Sequence, residues 1–200
     1  MLEQLLPEIF NIPKELNHHS RRLSLVDEMN ELESKKLSCL ECVGNCCTFS
    51  SNSMRISPIE AIELLIFLEK ENRLNEDLVR KLEKNVTEFR LDKETLFGIK
   101  KNYTCPFYLG NCKGCSISRW SKPYGCLAFN ATQKGVKQGS TCKSNQQILE
   151  KREDQFKAHE VAFNAYITKK LNLAWTLESI PVALLDIIKK GELCPPFQKK

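Results

Sequence analysis

The cysteine pattern is the feature that most constrains this chain. Ten cysteines occur among 200 residues, and nine of them fall between positions 39 and 142. The first four read Cys39-Leu-Glu-Cys42-Val-Gly-Asn-Cys46-Cys47. The second group is Cys105-Pro106, Cys112-Lys-Gly-Cys115, Cys126 and Cys142. Sulfurs two and three residues apart on short turns converge on a common point, and a soft metal ion is the usual occupant of such a point. The pattern predicts a metal-binding protein. Its candidate ligands are Cys39, Cys42, Cys46, Cys47, Cys105, Cys115, Cys126 and Cys142, with Cys112 as an alternative to Cys115 or Cys142.

Disulfides are the competing reading, and compartment decides between the two. The N-terminus, Met1-Leu-Glu-Gln-Leu-Leu-Pro-Glu, has neither the basic start nor the long apolar stretch of a secretory signal. No apolar run approaches the roughly 18 residues of a membrane span. The expectation is a cytoplasmic protein with no membrane partner. Disulfides rarely persist in a reducing compartment, whereas metal ligation does. The spacing agrees, because Cys39/Cys42 and Cys112/Cys115 lie too close in sequence to staple distant segments.

The formal charge of +5 suggests a nucleic-acid partner only until the ligands are counted. Eight thiolates add eight negative charges and two divalent ions four positive ones, so +5 − 8 + 4 leaves about +1. The densest basic clusters, Lys189-Lys190 and Lys199-Lys200, lie near the C-terminus and read as a solvated face and tail. Nucleic acid is not the expected partner, and a protein partner remains unidentified.

The expected fold class is mainly α, a small helical domain with an irregular cysteine-rich segment clamped by metal. Three sequential regions are expected within one globular unit. They are a helical extension over 1–37, a cysteine-cluster metal-binding domain over 38–145, and a C-terminal helical region over 146–200 packing on it. Helices are predicted near 14–37, 57–70, 75–90, 146–171 and 181–190. Ser57-Pro58-Ile59-Glu60 is a helix start, with Ser57 as N-cap, proline in the first turn and Glu60 placed for a capping box. The run that follows, Ala61 to Leu68, is apolar on most faces and predicts the central buried helix. Leu78, Leu82, Val86 and Phe89 form one stripe, and Leu149, Phe156, Phe163 and Ile167 another. Pro181 opens a last helix that Gly191 closes. Residues 102–142 keep no helical period and are expected to need metal bonds for order. His18 and His19 read as solvated helix residues, and His159 as a core histidine.

Within the cysteine groups, Gly44 offers backbone angles that turn Cys46 back toward Cys39 and Cys42. In extended backbone, adjacent Cys46 and Cys47 would point to opposite sides. On that reading one of them is structural, or the two serve different metals. Cys105-Pro106 is similar to the ligand-proline pair of bacterial ferredoxins. Cys194 stands alone before Pro195-Pro196 and reads as a non-ligand.

These elements together resemble the YkgJ-type cysteine-cluster family, whose domain is described as zinc- or iron-chelating. The matching stretches are Cys39 to Cys47, Ser57-Pro-Ile-Glu-Ala61, Cys105-Pro-Phe107, and Cys115-Ser-Ile117 through Lys122-Pro123-Tyr-Gly-Cys126. They span about residues 38–130. The chain departs from the family in reading Ile117-Ser118 and Lys122-Pro123 where Ile-Tyr and Arg-Pro are usual. The resemblance implies a metal-chelating role, with zinc and iron both as cofactor candidates. Some larger relatives are flagellin lysine methylases.

No catalytic signature appears. There is no nucleotide-cradling glycine loop, His159-Glu160 lacks the second histidine of a zinc hydrolase helix, and the zinc deaminase signature is missing. Three readings follow: a metal-binding protein with a structural or binding role, an iron–sulfur protein for electron transfer or redox sensing, and a methylase-like enzyme. The first is preferred, and the chain leans away from being an enzyme.

Overall fold

A computed structural model describes residues 2–37, 44–93, 101–110, 114–132 and 142–193. Its helices are α1 (Leu2–Leu5), α2 (Pro7–Phe10), α3 (Leu23–Ser34), α4 (Pro58–Lys70), α5 (Glu76–Phe89), α6 (Tyr124–Ala128), α7 (Gln146–Lys170) and α8 (Ile180–Lys190). Its strands are β1 (Arg55–Ile56), β2 (Phe129–Ala131), β3 (Cys142–Ser144) and β4 (Glu178–Ser179). The mainly helical class expected from the sequence is the class observed.

The chain divides into two units that interleave the three expected regions. Unit 1 comprises Met1–Pro13, Arg55–Lys101 and Ala158–Lys200, and unit 2 comprises Lys14–Met54 and Asn102–Lys157. The reason is that apolar helix faces far apart in sequence share a core, which sequential segments cannot do alone.

In unit 1, α8 packs against both α4 and α5. The α4 helix is buried along most of its length, from Pro58 through Leu65 and again at Leu68. The Glu60 carboxylate accepts from the Ser57 N–H at 2.9 Å and from its hydroxyl at 3.0 Å, which fixes the helix start read from the sequence. The Ile59 N–H, one of the donors a helix start leaves without an intrahelical acceptor, is taken by Asn164 Oδ1 of α7 at 2.8 Å. In α5 the buried stripe is Leu78, Val79 and Leu82, while Val86 and Phe89 are half-buried. Asn75 caps that helix by accepting from the Leu78 N–H at 3.0 Å. Asn75→Ala is expected to cost about 1 kcal/mol, read as a lowered melting temperature.

Two details differ from expectation in physical terms. The stretch 14–37 is not one helix. It forms 3₁₀ turns at Lys14–Leu16 and Ser20–Arg22 before α3 begins. Asn17 Oδ1 accepts from the N–H groups of His19 and Ser20, both at 3.0 Å, offering the backbone a local alternative to helix. At the end of α8, Gly191 is not in the left-handed region; Glu192 is, at φ +48°. Gly191 serves close packing instead, since a Cβ there would lie 2.8 Å from Leu5 Cδ2 and 3.0 Å from Leu193 Cγ.

In unit 2, Leu25, Val26 and Met29 of α3 meet Tyr124, Leu127 and Ala128 of α6, with Trp120, Ile148 and Leu149 against them. An antiparallel ladder pairs Phe129 with Ser144, Asn130 with Lys143 and Ala131 with Cys142. The described residues of the stretch 102–142 therefore carry more order than their composition suggests. Tyr103, Phe107, Ile117, Tyr124 and Leu127 are buried within it.

Candidate metal centre

The site begins at Gly44, which lies at φ +73°. Its carbonyl accepts from the Cys47 N–H at 2.7 Å and closes a 3₁₀ turn over Asn45–Cys47. That turn corrects the extended-backbone expectation for the cysteine pair. The sulfurs of Cys46 and Cys47 do not point apart; they lie 3.9 Å from one another. A tetrahedral zinc with four sulfurs at about 2.3 Å has sulfur–sulfur edges of about 3.8 Å, so the pair is spaced as one edge of such a centre.

Hydrogen bonds then join the first cysteine group to the second. The Cys105 N–H donates to the Cys47 carbonyl at 2.7 Å, and the Tyr103 N–H to the Asn52 carbonyl at 2.9 Å. Asn52 Nδ2 returns to the Tyr103 carbonyl at 3.0 Å, Tyr103 Oη donates to the Met54 carbonyl at 2.7 Å, and the Phe49 N–H reaches Thr104 Oγ1 at 3.2 Å. Cys115 is folded back onto the same loop by an antiparallel bridge to Tyr108. The bonds of that loop run from the Leu109 N–H to the Gly114 carbonyl at 3.0 Å and from the Ser116 N–H to the Phe107 carbonyl at 2.9 Å. The Ile117 N–H points at Cys115 Sγ, 3.4 Å away, the type of bond that stabilises a thiolate ligand. Cys126 rides on α6, its N–H donating to the Pro123 carbonyl at 3.0 Å.

Electrostatics report the same convergence. The Cys126 thiol is pushed well up from the ordinary thiol range, first by desolvation, then by Cys105 and Cys115, with a smaller push from Cys46. The Cys46 thiol is pushed up by its contact with Cys47, then by burial. Lys122 opposes the rise at both sulfurs. A buried thiolate beside other sulfurs is disfavoured unless a cation sits among them, so the Cys46 and Cys126 thiols stay protonated in metal-free protein.

A pH dependence follows for metal-free protein. Both folded-state thiols titrate above the ordinary value of 9.0, so the folded state holds protons that the unfolded chain releases first. The stabilisation is fully present below about pH 9 and is lost as pH rises further. Thermal melts of metal-free protein from pH 7 to pH 10.5 are expected to fall at the alkaline end.

Cys46, Cys47, Cys105, Cys115 and Cys126 are thus brought into one neighbourhood. Cys142 stands on β3 opposite Ala131 and packs against it. Cys39, Cys42, Cys112 and Cys194 lie outside the described residues. Among the described residues, no three histidine, cysteine, aspartate or glutamate side chains form a group that could hold a metal ion. The donor chemistry fits a soft ion, while the described spacing is looser than a closed centre. The histidines stand apart in role: His18 stacks on His19 at 4.0 Å and His19 on Trp120 at 5.0 Å, and His159 lies against Phe163 at 4.5 Å.

Sequence reasoning missed two participants. Tyr108 packs where a side chain on residue 44 would stand, and nothing in the spacing announces it. Lys122 acts on two sulfurs, and its place four residues before Cys126 was the available signal. Among the described residues no helix is long and apolar enough to cross a membrane. No family model, no curated protein and no solved structure matches the chain.

Proposed function

We propose that this chain is a metal-binding protein whose two cysteine groups share one thiolate centre for zinc or iron, with a structural or partner-binding role. The reading places it in the reducing cytoplasm, where free thiols persist, and among the YkgJ-type proteins it resembles. The observation that carries it is the Cys46–Cys47 sulfur pair, 3.9 Å apart, which the bond from the Cys105 N–H to the Cys47 carbonyl at 2.7 Å ties to the second cysteine group across a long sequence gap. Cys46, Cys47, Cys105, Cys115, Cys126 and Cys142 are the described candidates for ligands, and Cys39 and Cys42 are the remaining donors of the first group. A bound ion would supply charge neutralisation for the thiolates and cross-link loops that are otherwise held by backbone bonds.

The test is anaerobic purification followed by a visible spectrum and assays of metal and acid-labile sulfide. Colourless protein with stoichiometric zinc supports a structural centre. Brown protein with iron and sulfide makes the centre an iron–sulfur cluster and shifts the role to electron transfer or redox sensing. Protein free of both metals after purification and reconstitution refutes the proposal. Cys42→Ser is expected to lose metal, and Cys194→Ser to keep it.

A further inference from the structure

Unit 2 buries three arginines that its composition does not foretell. Arg21 and Arg22 are 0% exposed and Arg152 is 2% exposed. All three converge on Tyr124. The Arg152 guanidinium carbon lies 3.3 Å from the centre of the Tyr124 ring, and that of Arg22 lies 4.7 Å from it. Arg21 Nε donates to Tyr124 Oη at 3.2 Å. The set is tied to backbone as well: Arg152 Nε donates to the Arg21 carbonyl at 2.9 Å, Arg21 Nη1 to the Leu16 carbonyl at 2.8 Å, and Arg22 Nε to the Lys122 carbonyl at 2.8 Å.

Desolvating three guanidiniums is costly, and a five-residue helix turn could be held by an apolar core at less cost. What the three arginines grip is specific. One end is the Lys122 carbonyl and the other is the Tyr124 side chain, and between them runs the turn whose next residue but one is Cys126. The planar guanidinium fixes direction as well as position, which a methylene chain does not. We propose that Arg21, Arg22 and Arg152 are positioning residues of the metal centre, clamping the Lys122–Cys126 turn through Tyr124 so that Cys126 meets the cysteines of the other loops. The inference rests on the metal-binding reading above.

Cobalt(II) is the probe, since its visible bands report ligand geometry and its affinity is measurable by competition with a coloured chelator. The wild type is compared with Arg152→Met, Arg152→Lys and Tyr124→Phe, alongside helix content by circular dichroism. Arg152→Met is expected to bind cobalt about 10- to 100-fold more weakly, the usual range for losing an outer-shell partner, with shifted bands and near-normal helix content. Arg152→Lys should recover part of the affinity by keeping a cation over the ring. Tyr124→Phe, which loses only the hydroxyl, should be weakened less. If Arg152→Met and Tyr124→Phe keep wild-type affinity and bands, the clamp is purely structural and the inference is wrong, even if they melt earlier. If Arg152→Met does not fold, Tyr124→Phe decides alone on the same criterion. A wild type that takes up no cobalt or zinc overturns the metal centre, and the clamp's role with it.

Discussion

On the proposed metal-binding reading, stripping bound metal is expected to produce the largest single effect, a loss of stability on the order of 10 kcal/mol. For a thiolate centre the binding free energy is also folding free energy, because the unfolded chain offers no preformed site. The loss should be local. Among the described residues, 44–54 and 102–110 are joined by backbone bonds such as Cys105 N–H to Cys47 carbonyl. In unit 1, by contrast, α4, α5 and α8 bury Ile59, Ile62, Leu65, Leu82, Leu184 and Ile188 without any cysteine. Hydrogen exchange followed by mass spectrometry should show amide protection vanishing in the two cysteine-bearing stretches after chelation while α4, α5 and α8 keep theirs. Uniform loss across both units would mean the metal holds the whole chain. No loss anywhere would mean the loops need no metal.

Gly44→Ala is expected to be nearly as damaging as removing a ligand, although alanine changes no donor. Two costs combine. A non-glycine residue at φ +73° pays about 1–2 kcal/mol for left-handed backbone. Its Cβ would also overlap Tyr108 Cε2 and Cζ, and an aromatic ring must then shift, which adds about 1–3 kcal/mol. Together they give about 2–5 kcal/mol, applied at the turn that sets Cys46 and Cys47. Metal retention against a chelator and the melting temperature should both drop. A double-mutant cycle with Tyr108→Ala separates the two costs, since removing the ring relieves the overlap and leaves the backbone strain. A Gly44→Ala protein with normal metal retention would show that the turn can re-form without its glycine.

The helices were legible where a local signal and a periodic stripe agreed. Ser57 and Glu60 marked the start of α4 because the carboxylate reaches back to the cap, and the apolar stripe marked α5, which Asn75 caps. The single helix expected over 14–37 failed at Asn17, whose side chain competes for backbone donors that a periodicity count treats as free. The strands were not legible, being two or three residues long and set by partners far away, as Arg55 with Ser179. At the site, cysteine spacing singled out Cys46 and Cys47 as candidates, but the direction of their sulfurs depended on a 3₁₀ turn that spacing alone does not encode. Arg152 had a signal that periodicity carried: it stands three residues after Leu149 and four before Phe156, on the apolar stripe itself. Its charge argued for solvent, and packing against Tyr124 overrode that.

X-ray absorption at the metal edge tests the shared centre most directly. Zinc- or iron-loaded protein is expected to show four sulfur neighbours at about 2.3 Å. The count should fall to three in Cys46→Ser and also in Cys126→Ser, one variant from each cysteine group. A shell of nitrogen and oxygen alone, or a sulfur count that one of the two variants leaves at four, would contradict a centre built from both groups.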